Sequence, residues 1–272
     1  MSRVTVVVIT RDRAADLART LERLEALPER PPIVVVDHGS RDGTPALVAE
    51  RFPAVTLLEP GEDEGGAGRT RGVVAARTPY VAFCDDDSWW DAGSLARAEA
   101  LLDAHPDVGL LAARVLLQSG RLEPTCAAMA ASPLPARPDL PGPRVLGFVA
   151  CGAVVRRSAY LAAGGFPPGW GVGGEEQPFA AALADCGWEL VHVPELVAHH
   201  HPSRRRDPDT RRVVAARNDI WFAWLRRPPR AALAATLHHA RGLPAATRGL
   251  GWVRRARRPV GARTERELAL LD

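Results

Sequence analysis

The chain has 272 residues, 46% of them hydrophobic, enough for one sizeable α/β domain with a C-terminal appendage. Its 35 basic residues, all arginine, outnumber 32 acidic ones for a net charge of +3, and its four cysteines show no Cys-x-x-Cys spacing. That cysteine pattern argues against a disulfide framework or a zinc site and for free thiols in a reducing cytoplasm.

The start, Met1-Ser2-Arg3, leads directly into strand-like sequence without the apolar core of a signal peptide. The longest uncharged apolar run, Val145 to Val155, is too short to span a bilayer. An arginine-only, Ala-, Gly- and Pro-rich composition gives single arginines little functional weight. Charge is unevenly spread, however: from Arg204 onward 17 arginines face 6 acidic residues, whereas the preceding part has 18 against 26. A basic tail on an acidic domain points to an anionic surface or partner.

In chain order, Val4 to Thr10 is an apolar, β-branched run that predicts a strand covered on both faces. Leu17, Leu21 and Leu24 recur at helical spacing until Pro28 and Pro31-Pro32 break the pattern. Ile33 to Val36 is a second strand, and Thr44 as N-cap with Pro45 after it opens the next helix. Val55 to Leu58 is a third strand, and the glycine-rich stretch from Gly61 to Gly72 leads into another helix. Tyr80 to Cys84 is a fourth strand, with a helix over Ser94 to Ala104. Val108 to Leu117 follows, and Glu123 to Pro143 reads as a long loop over the active-site face. Regular structure resumes from Val145 to Val155; a glycine-dense passage from Gly169 to Gly174 precedes a helix over Glu175 to Cys186 and a strand around Glu189 to Val193. From Asp219 the chain is Trp-, Arg- and Ala-rich and helical in pattern. Strand–helix alternation at this interval predicts an α/β fold with a mainly parallel, doubly wound sheet. The organisation expected is a catalytic domain over 1–203 and an Arg-rich helical extension over 204–272.

Such sheets bind ligands beyond the carboxyl ends of their strands, where Asp12, Asp37 and Asp85 to Asp87 all fall. Three successive carboxylates repel one another unless a cation offsets them, and oxygen ligands suit Mg2+ or Mn2+. A solvated acidic turn is the ordinary alternative for Asp85-Asp86-Asp87 alone. The convergence of all these acidic residues on one sheet end turns them into one candidate site.

Several motifs stand in a telling order. They are Val-Val-Val-Ile-Thr-Arg-Asp-Arg at 6–13, Val-Asp-His-Gly-Ser-Arg-Asp-Gly-Thr at 36–44 and Gly-Ala-Gly-Arg-Thr-Arg-Gly at 66–72. The aspartate cluster, Gly-Gly-Phe at 164–166, Gly-Gly-Glu-Glu-Gln at 173–177 and histidines at 199–201 follow. Over roughly residues 3 to 202 the chain resembles family 2 glycosyltransferases of the GT-A fold. The resemblance implies a metal-dependent, inverting transfer of sugar from a nucleotide-diphosphate donor to an acceptor hydroxyl. Thr10 and Asp12 would line the nucleotide pocket, Asp37 would meet base or ribose, and Arg69 would lie near the nucleotide or the aspartates. Asp85 and Asp87 match the family's Asp-x-Asp element, with Asp87 as direct metal ligand, Asp85 nearer the ribose and Asp86 grouped with the donor site. Glu176 would be the base and Glu175 its alternative, although a helix's first turn favours Glu in any case. His199 or His201 would complete the metal site, a solvated histidine run being the alternative. Trp170 is the candidate acceptor platform, while Trp89-Trp90 reads equally as a sugar wall or as core. Glu-Glu replaces the family's usual Glu-Asp, and Asp12 and Thr70 stand where Asn is frequent.

Competing readings are a nucleotidyltransferase and a non-catalytic sugar-nucleotide-binding protein of the same fold. No nucleic-acid partner is expected, since no recognised module surrounds the arginines. Trp221, Phe222, Trp224 and Leu225 beside Arg226-Arg227 suggest peripheral contact with the inner leaflet, which would suit a lipid-linked acceptor.

Overall fold

The computed structural model of the chain describes residues 2–202 and 208–272. In order, the first half comprises β1 (Val4–Thr10), α1 (Ala14–Glu25), β2 (Ile33–Asp37), α2 (Thr44–Arg51), β3 (Thr56–Leu58), α3 (Arg69–Ala75), β4 (Tyr80–Asp85), β5 (Ser88–Trp90), α4 (Ser94–Ala104) and β6 (Val108–Leu117). Then come α5 (Pro124–Ala130), β7 (Ala153–Arg156), α6 (Arg157–Ala162), α7 (Glu176–Asp185) and β8 (Glu189–His200). Five helices close the chain: α8 (Pro208–Arg226), α9 (Pro229–His238), α10 (Leu243–Thr247), α11 (Leu250–Ala256) and α12 (Ala262–Leu268). The domain boundary expected at 203/204 lies outside the described residues.

One sheet carries the fold, in the order β3-β2-β1-β4-β7-β6-β8-β5. β1 is buried along all seven residues because it is flanked by β2 and β4 and covered on both faces, which is the setting its valine run requires. The parallel register fixes the site. Thr10 pairs with Asp37 and Ile9 with Asp85, so three chain segments deliver polar side chains in one row at the sheet's carboxyl end. Past β4 the sheet turns mixed: β7 runs antiparallel to β4 and β6, while β6 and β8 are parallel.

Several details differ from the sequence pattern. Gly43, at φ +87, precedes α2, and Thr44 is its first residue with its hydroxyl on Asp42. The expected loop over Glu123 to Pro143 contains α5, whose entry is fixed by the Glu123 carboxylate accepting from the Thr125 N–H at 2.7 Å. The strand expected to stop near Val193 continues to His200 through a bulge, where Val193 pairs with Ala113 but Val197 pairs with the next residue, Arg114. Trp221, Phe222, Trp224 and Leu225 do not form an outward surface. Phe222 and Leu225 are buried, and both indole N–H groups bond within the helical extension, to the Ala246 carbonyl and the Thr236 hydroxyl. α8 is the hub against which the later helices pack, so the apolar side chains of Ile220, Phe222 and Leu225 are consumed internally.

Arg144 ties the last helix to the sheet. Its guanidinium bonds Glu189 of β8 at 2.6 Å and Glu267 of α12 at 2.7 Å, all three side chains being buried. Close packing is equally strict under β1, where a Cβ at Gly72 of α3 would lie 2.3 Å from Val7 Cγ1. Gly72→Ala should therefore lower stability by about 1–3 kcal/mol despite alanine's better helix propensity. In urea denaturation the midpoint should drop, and adding Val7→Ala should recover part of the loss.

Candidate functional site

The aspartate turn between β4 and β5 is held from three sides. Ser88 Oγ accepts from the Asp85 N–H at 2.8 Å, Thr20 donates to the Asp86 carbonyl at 2.8 Å, and Thr10 donates to the Asp86 carboxylate at 3.0 Å. Arg13 Nη1 lies 3.1 Å from both the Asp86 and the Asp87 carboxylates. Burial pushes the Asp86 carboxyl up to about 7, opposed by Arg13 and reinforced by the charges of Asp87 and Asp85. Thr10, Arg13, Asp85 and Asp86 line a cavity of about 300 Å3 whose other wall includes His38 and Asp63.

Asp12 and Asp37 take up structural work beside that cavity. Asp12, at φ +52, accepts from the Arg41 N–H at 2.7 Å, and Asp37 accepts from both the backbone and the hydroxyl of Ser40. Together they hold the β1–α1 and β2–α2 turns against each other. His38 is the residue of that turn that reaches the cavity. Burial lowers its pKa and keeps the ring neutral, with Nδ1 3.4 Å from Asp63 and Nε2 packed on Gly68.

Arg69 links the two ends of the site. Its guanidinium is enclosed, with Nη2 2.5 Å from Asp85 and Nη1 3.5 Å from Glu175. Burial opposes its charge, yet Asp85, Glu175 and Glu176 hold its pKa above the ordinary value, so it stays cationic. Glu175 is buried; it accepts from the Gly173 N–H and packs so tightly on Gly66 that a Cβ there would meet Oε1 at 2.7 Å. Glu176, at the first position of α7, lies between two spaces. It lines a cavity of about 320 Å3 with Arg69, Asp85, Cys151 and His200. It also lines a groove of about 400 Å3 with Met129, Leu146, Phe148, Gln177 and Asp219. Burial pushes its carboxyl up to about 8, with the neighbouring Glu175 charge adding and Arg69 opposing.

Of the three histidines, His200 is the one turned toward the carboxylates. β5 pairs antiparallel to β8 with Ser88 opposite His200, which leaves His200 Nε2 3.3 Å from Asp87 Oδ1. Atoms of Asp85, Cys151 and His200 able to bind a metal all lie within 4.8 Å of one another. Cys151 is a soft ligand whose thiol pKa burial raises well above its ordinary value, so within this group the Asp85 carboxylate and the His200 imidazole are the donors that suit a hard divalent ion, with Asp87 beside His200. His199 and His201, expected as ligands, lie on the opposite face of the strand. His199 stacks on Trp89 at 5.4 Å, and His201 meets the same ring edge-on at 4.5 Å. Trp90 is core, its indole N–H on the Phe83 carbonyl.

Trp170 is not an open platform. It is buried against Trp221 and Trp252, with ring centroids 5.9 and 6.0 Å away. Its loop is clamped instead. Asn218 Nδ2 donates to the carbonyls of Trp170 at 3.1 Å and Gly173 at 2.6 Å, Arg217 donates to Trp170 at 2.6 Å, and the Gly66 N–H donates to Gly171 at 3.0 Å. Gly169, Gly171, Gly173 and Gly174 all have positive φ, so the loop's path depends on glycine. Arg13, His38, His200 and Asp219 thus line these cavities, and Asn218 supports their loop, beyond the residues singled out from sequence.

Comparison with known proteins converges on one chemistry. A family model described as Glycosyl transferase family 2 matches residues 5–162. An N-acetylglucosaminyl-diphospho-decaprenol L-rhamnosyltransferase of Mycobacterium tuberculosis (strain ATCC 25618 / H37Rv) is 28% identical over 257 residues, covering 81% of this chain and 83% of its own. A pre-mycofactocin glycosyltransferase of the same strain is 31% identical over 215 residues, 75% of this chain and 44% of its own. The mannosyltransferase PcManGT from Pyrobaculum calidifontis, solved with GDP-Man and Mn2+, matches with a TM-score of 0.62 at 23% identity, over 99% of this chain and 78% of its own. TarS 1–349 of S. aureus, in complex with UDP-GlcNAc, gives 0.63 at 15% identity, over 90% and 82%. The fold is therefore that of GT-A glycosyltransferases.

Replacing Asn218 with Ala leaves the Gly173 carbonyl without its side-chain donor and the Trp170 carbonyl held by Arg217 alone. Amides of Gly171 to Gly174 should then exchange with solvent at least tenfold faster, while global stability falls by about 1–3 kcal/mol. Hydrogen-exchange mass spectrometry of the full chain measures both.

Proposed function

The chain belongs to glycosyl transferase family 2, and from that premise we propose an inverting, divalent-metal-dependent transfer of sugar from a nucleoside diphosphate to an acceptor hydroxyl. The observation that carries the reading is Glu176, shared between the cavity of Asp85 and His200 and the separate groove beyond it. A base is needed only at the junction of donor and acceptor, and Glu176 is the carboxylate there. Family membership replaces the nucleotidyl-transfer alternative.

The donor's nucleoside occupies the cavity of Thr10, His38 and Asp86, with its diphosphate toward Arg13 and Asp85. Asp85, Asp87 and His200 would hold Mg2+ or Mn2+, which when bound neutralises charge growing on the departing diphosphate. Arg69 fixes Asp85 and Glu175 relative to each other and supplies permanent positive charge under the reacting centre. Glu176 takes the proton of the acceptor hydroxyl as that oxygen attacks the anomeric carbon, and the bond to the diphosphate breaks on the opposite face with the electron pair leaving on its oxygen. Glu175, tied to Arg69 and Gly173, positions the helix start and is not the base.

The acceptor lies in the groove of Met129, Leu146 and Phe148, where Gln177 and Asp219 offer hydrogen bonds to sugar hydroxyls. Its apolar wall supports a lipid-linked acceptor, the class named for the rhamnosyltransferase relative. Such an acceptor brings the enzyme to a membrane, and contact of the C-terminal helices with the inner leaflet belongs to this reading.

Glu176→Gln should lower turnover about 10²–10⁴-fold and leave metal-dependent donor binding intact. Retained turnover would move the base elsewhere. The base works only when ionised, so with its carboxyl held near 8 the wild-type rate should rise with pH up to about 8 and then level, instead of levelling near 5. A pH–rate profile with a matched acceptor reads this directly. His200→Ala should weaken Mn2+-dependent donor binding at least tenfold, whereas His199→Ala should not. Calorimetry across a panel of sugar nucleotides tests both substitutions.

A further inference from the structure

The outer face of the C-terminal helices has a composition unlike the rest of the surface. From Ile220 through Thr264 there are ten arginines and no acidic residue. Arg226 pairs with Asp185, Arg227 with Glu265 and Asp272, and Arg263 with Glu189 and Glu267 at the base of the extension. Arg230, Arg241, Arg248, Arg254, Arg255 and Arg258 are exposed and, among the described residues, take part in no ion pair. α9, α10 and α11 each bury one small face against α8, through Ala232, Ala246 and Val253. Their other faces carry exposed apolar side chains, with Leu237 80%, Leu233 56% and Leu250 55% accessible, joined by Leu243 and Trp252. Leu233 and Leu237 share one face of α9 at a four-residue spacing.

We propose that this face is a membrane-docking surface for an anionic lipid bilayer, with the leucines and Trp252 entering the acyl boundary and the arginines meeting lipid phosphates. The charge selects an anionic partner. The exposed leucines select a bilayer over a nucleic acid, which would leave them in water, because interfacial helices bury an apolar face beneath a cationic one. The proposal deepens the lipid-linked reading of the acceptor and rests on it only for the choice of leaflet.

The full chain is mixed with vesicles of phosphatidylcholine alone or with roughly one-third phosphatidylglycerol, and sedimented. Binding is expected only with phosphatidylglycerol, reduced at roughly 0.5 M NaCl. The double variant Leu233→Glu/Leu237→Glu should lose at least about fivefold of it, as should Arg254→Gln/Arg255→Gln. Donor binding should be unchanged in both, since neither pair lines a cavity of the site. No binding to anionic vesicles overturns the surface. Binding that ignores the leucine substitutions overturns bilayer insertion and leaves simple adsorption of charge. A dimer, seen by light scattering without lipid and lost in the leucine variant, assigns the face to a second copy instead. Intact vesicle binding with no donor binding to any sugar nucleotide would overturn the transferase mechanism and not the surface.

Discussion

Arg69 is enclosed by protein, and its charge is divided between Asp85 at the end of β4 and Glu175 at the start of α7. A buried guanidinium is costly unless carboxylates offset its charge, and here two do so from segments ninety residues apart in sequence. The arrangement sets the distance between the aspartate turn and the helix that presents Glu176. It also explains why the glycine-dense segments are so intolerant. Gly66 must lack a side chain for Glu175 to reach Arg69, and the loop ahead of Glu175 must follow a left-handed path. Removing either Arg69 or its partners would leave an uncompensated buried charge beside Glu176.

Much of the scaffold was legible in the sequence because its signals are local. The β-branched runs at Val4, Ile33 and Tyr80 admit little but buried parallel strands, and a parallel sheet obliges ligands to gather at the carboxyl ends. That logic brought Asp85 and Asp86 to one region, and the family resemblance added Thr10 and Glu176. It served less well for Asp12 and Asp37, whose carboxylates are spent on Arg41 and Ser40 of the adjoining turn. Among three consecutive histidines, alternation can choose only if the strand's phase is known. The bulge between Val193 and Val197 resets that phase, so counting from the apolar residues of β8 cannot distinguish His200 from its neighbours. Trp170 shows the other kind of failure. An aromatic among glycines reads as an exposed platform, and only the packing of Trp221 and Trp252, from fifty residues or more downstream, makes it core.

Arginine composition obscured a further part. With every basic residue an arginine, Arg13 carries no more sequence signal than any other, yet it bridges Asp86 and Asp87. Asn218 and Asp219 were hidden for a different reason, since they belong to a helix whose apolar pattern advertises only packing. Their roles arise because α8 passes beneath the loop that precedes Glu175. The C-terminal helices are thus a wall of the site as well as an appendage to it.

The three indoles of Trp170, Trp221 and Trp252 touch pairwise, with centroids 5.4 to 6.0 Å apart. Trp170 belongs to the glycine-dense loop ahead of Glu175, Trp221 to the hub helix, and Trp252 reaches the outer face of the extension. Any body that presses on Trp252 therefore presses, one ring away, on the segment that aims Glu176. Such a cluster is also a built-in optical probe: a change of loop geometry alters the coupling of the same three chromophores, and the protein's own emission reports it without a label.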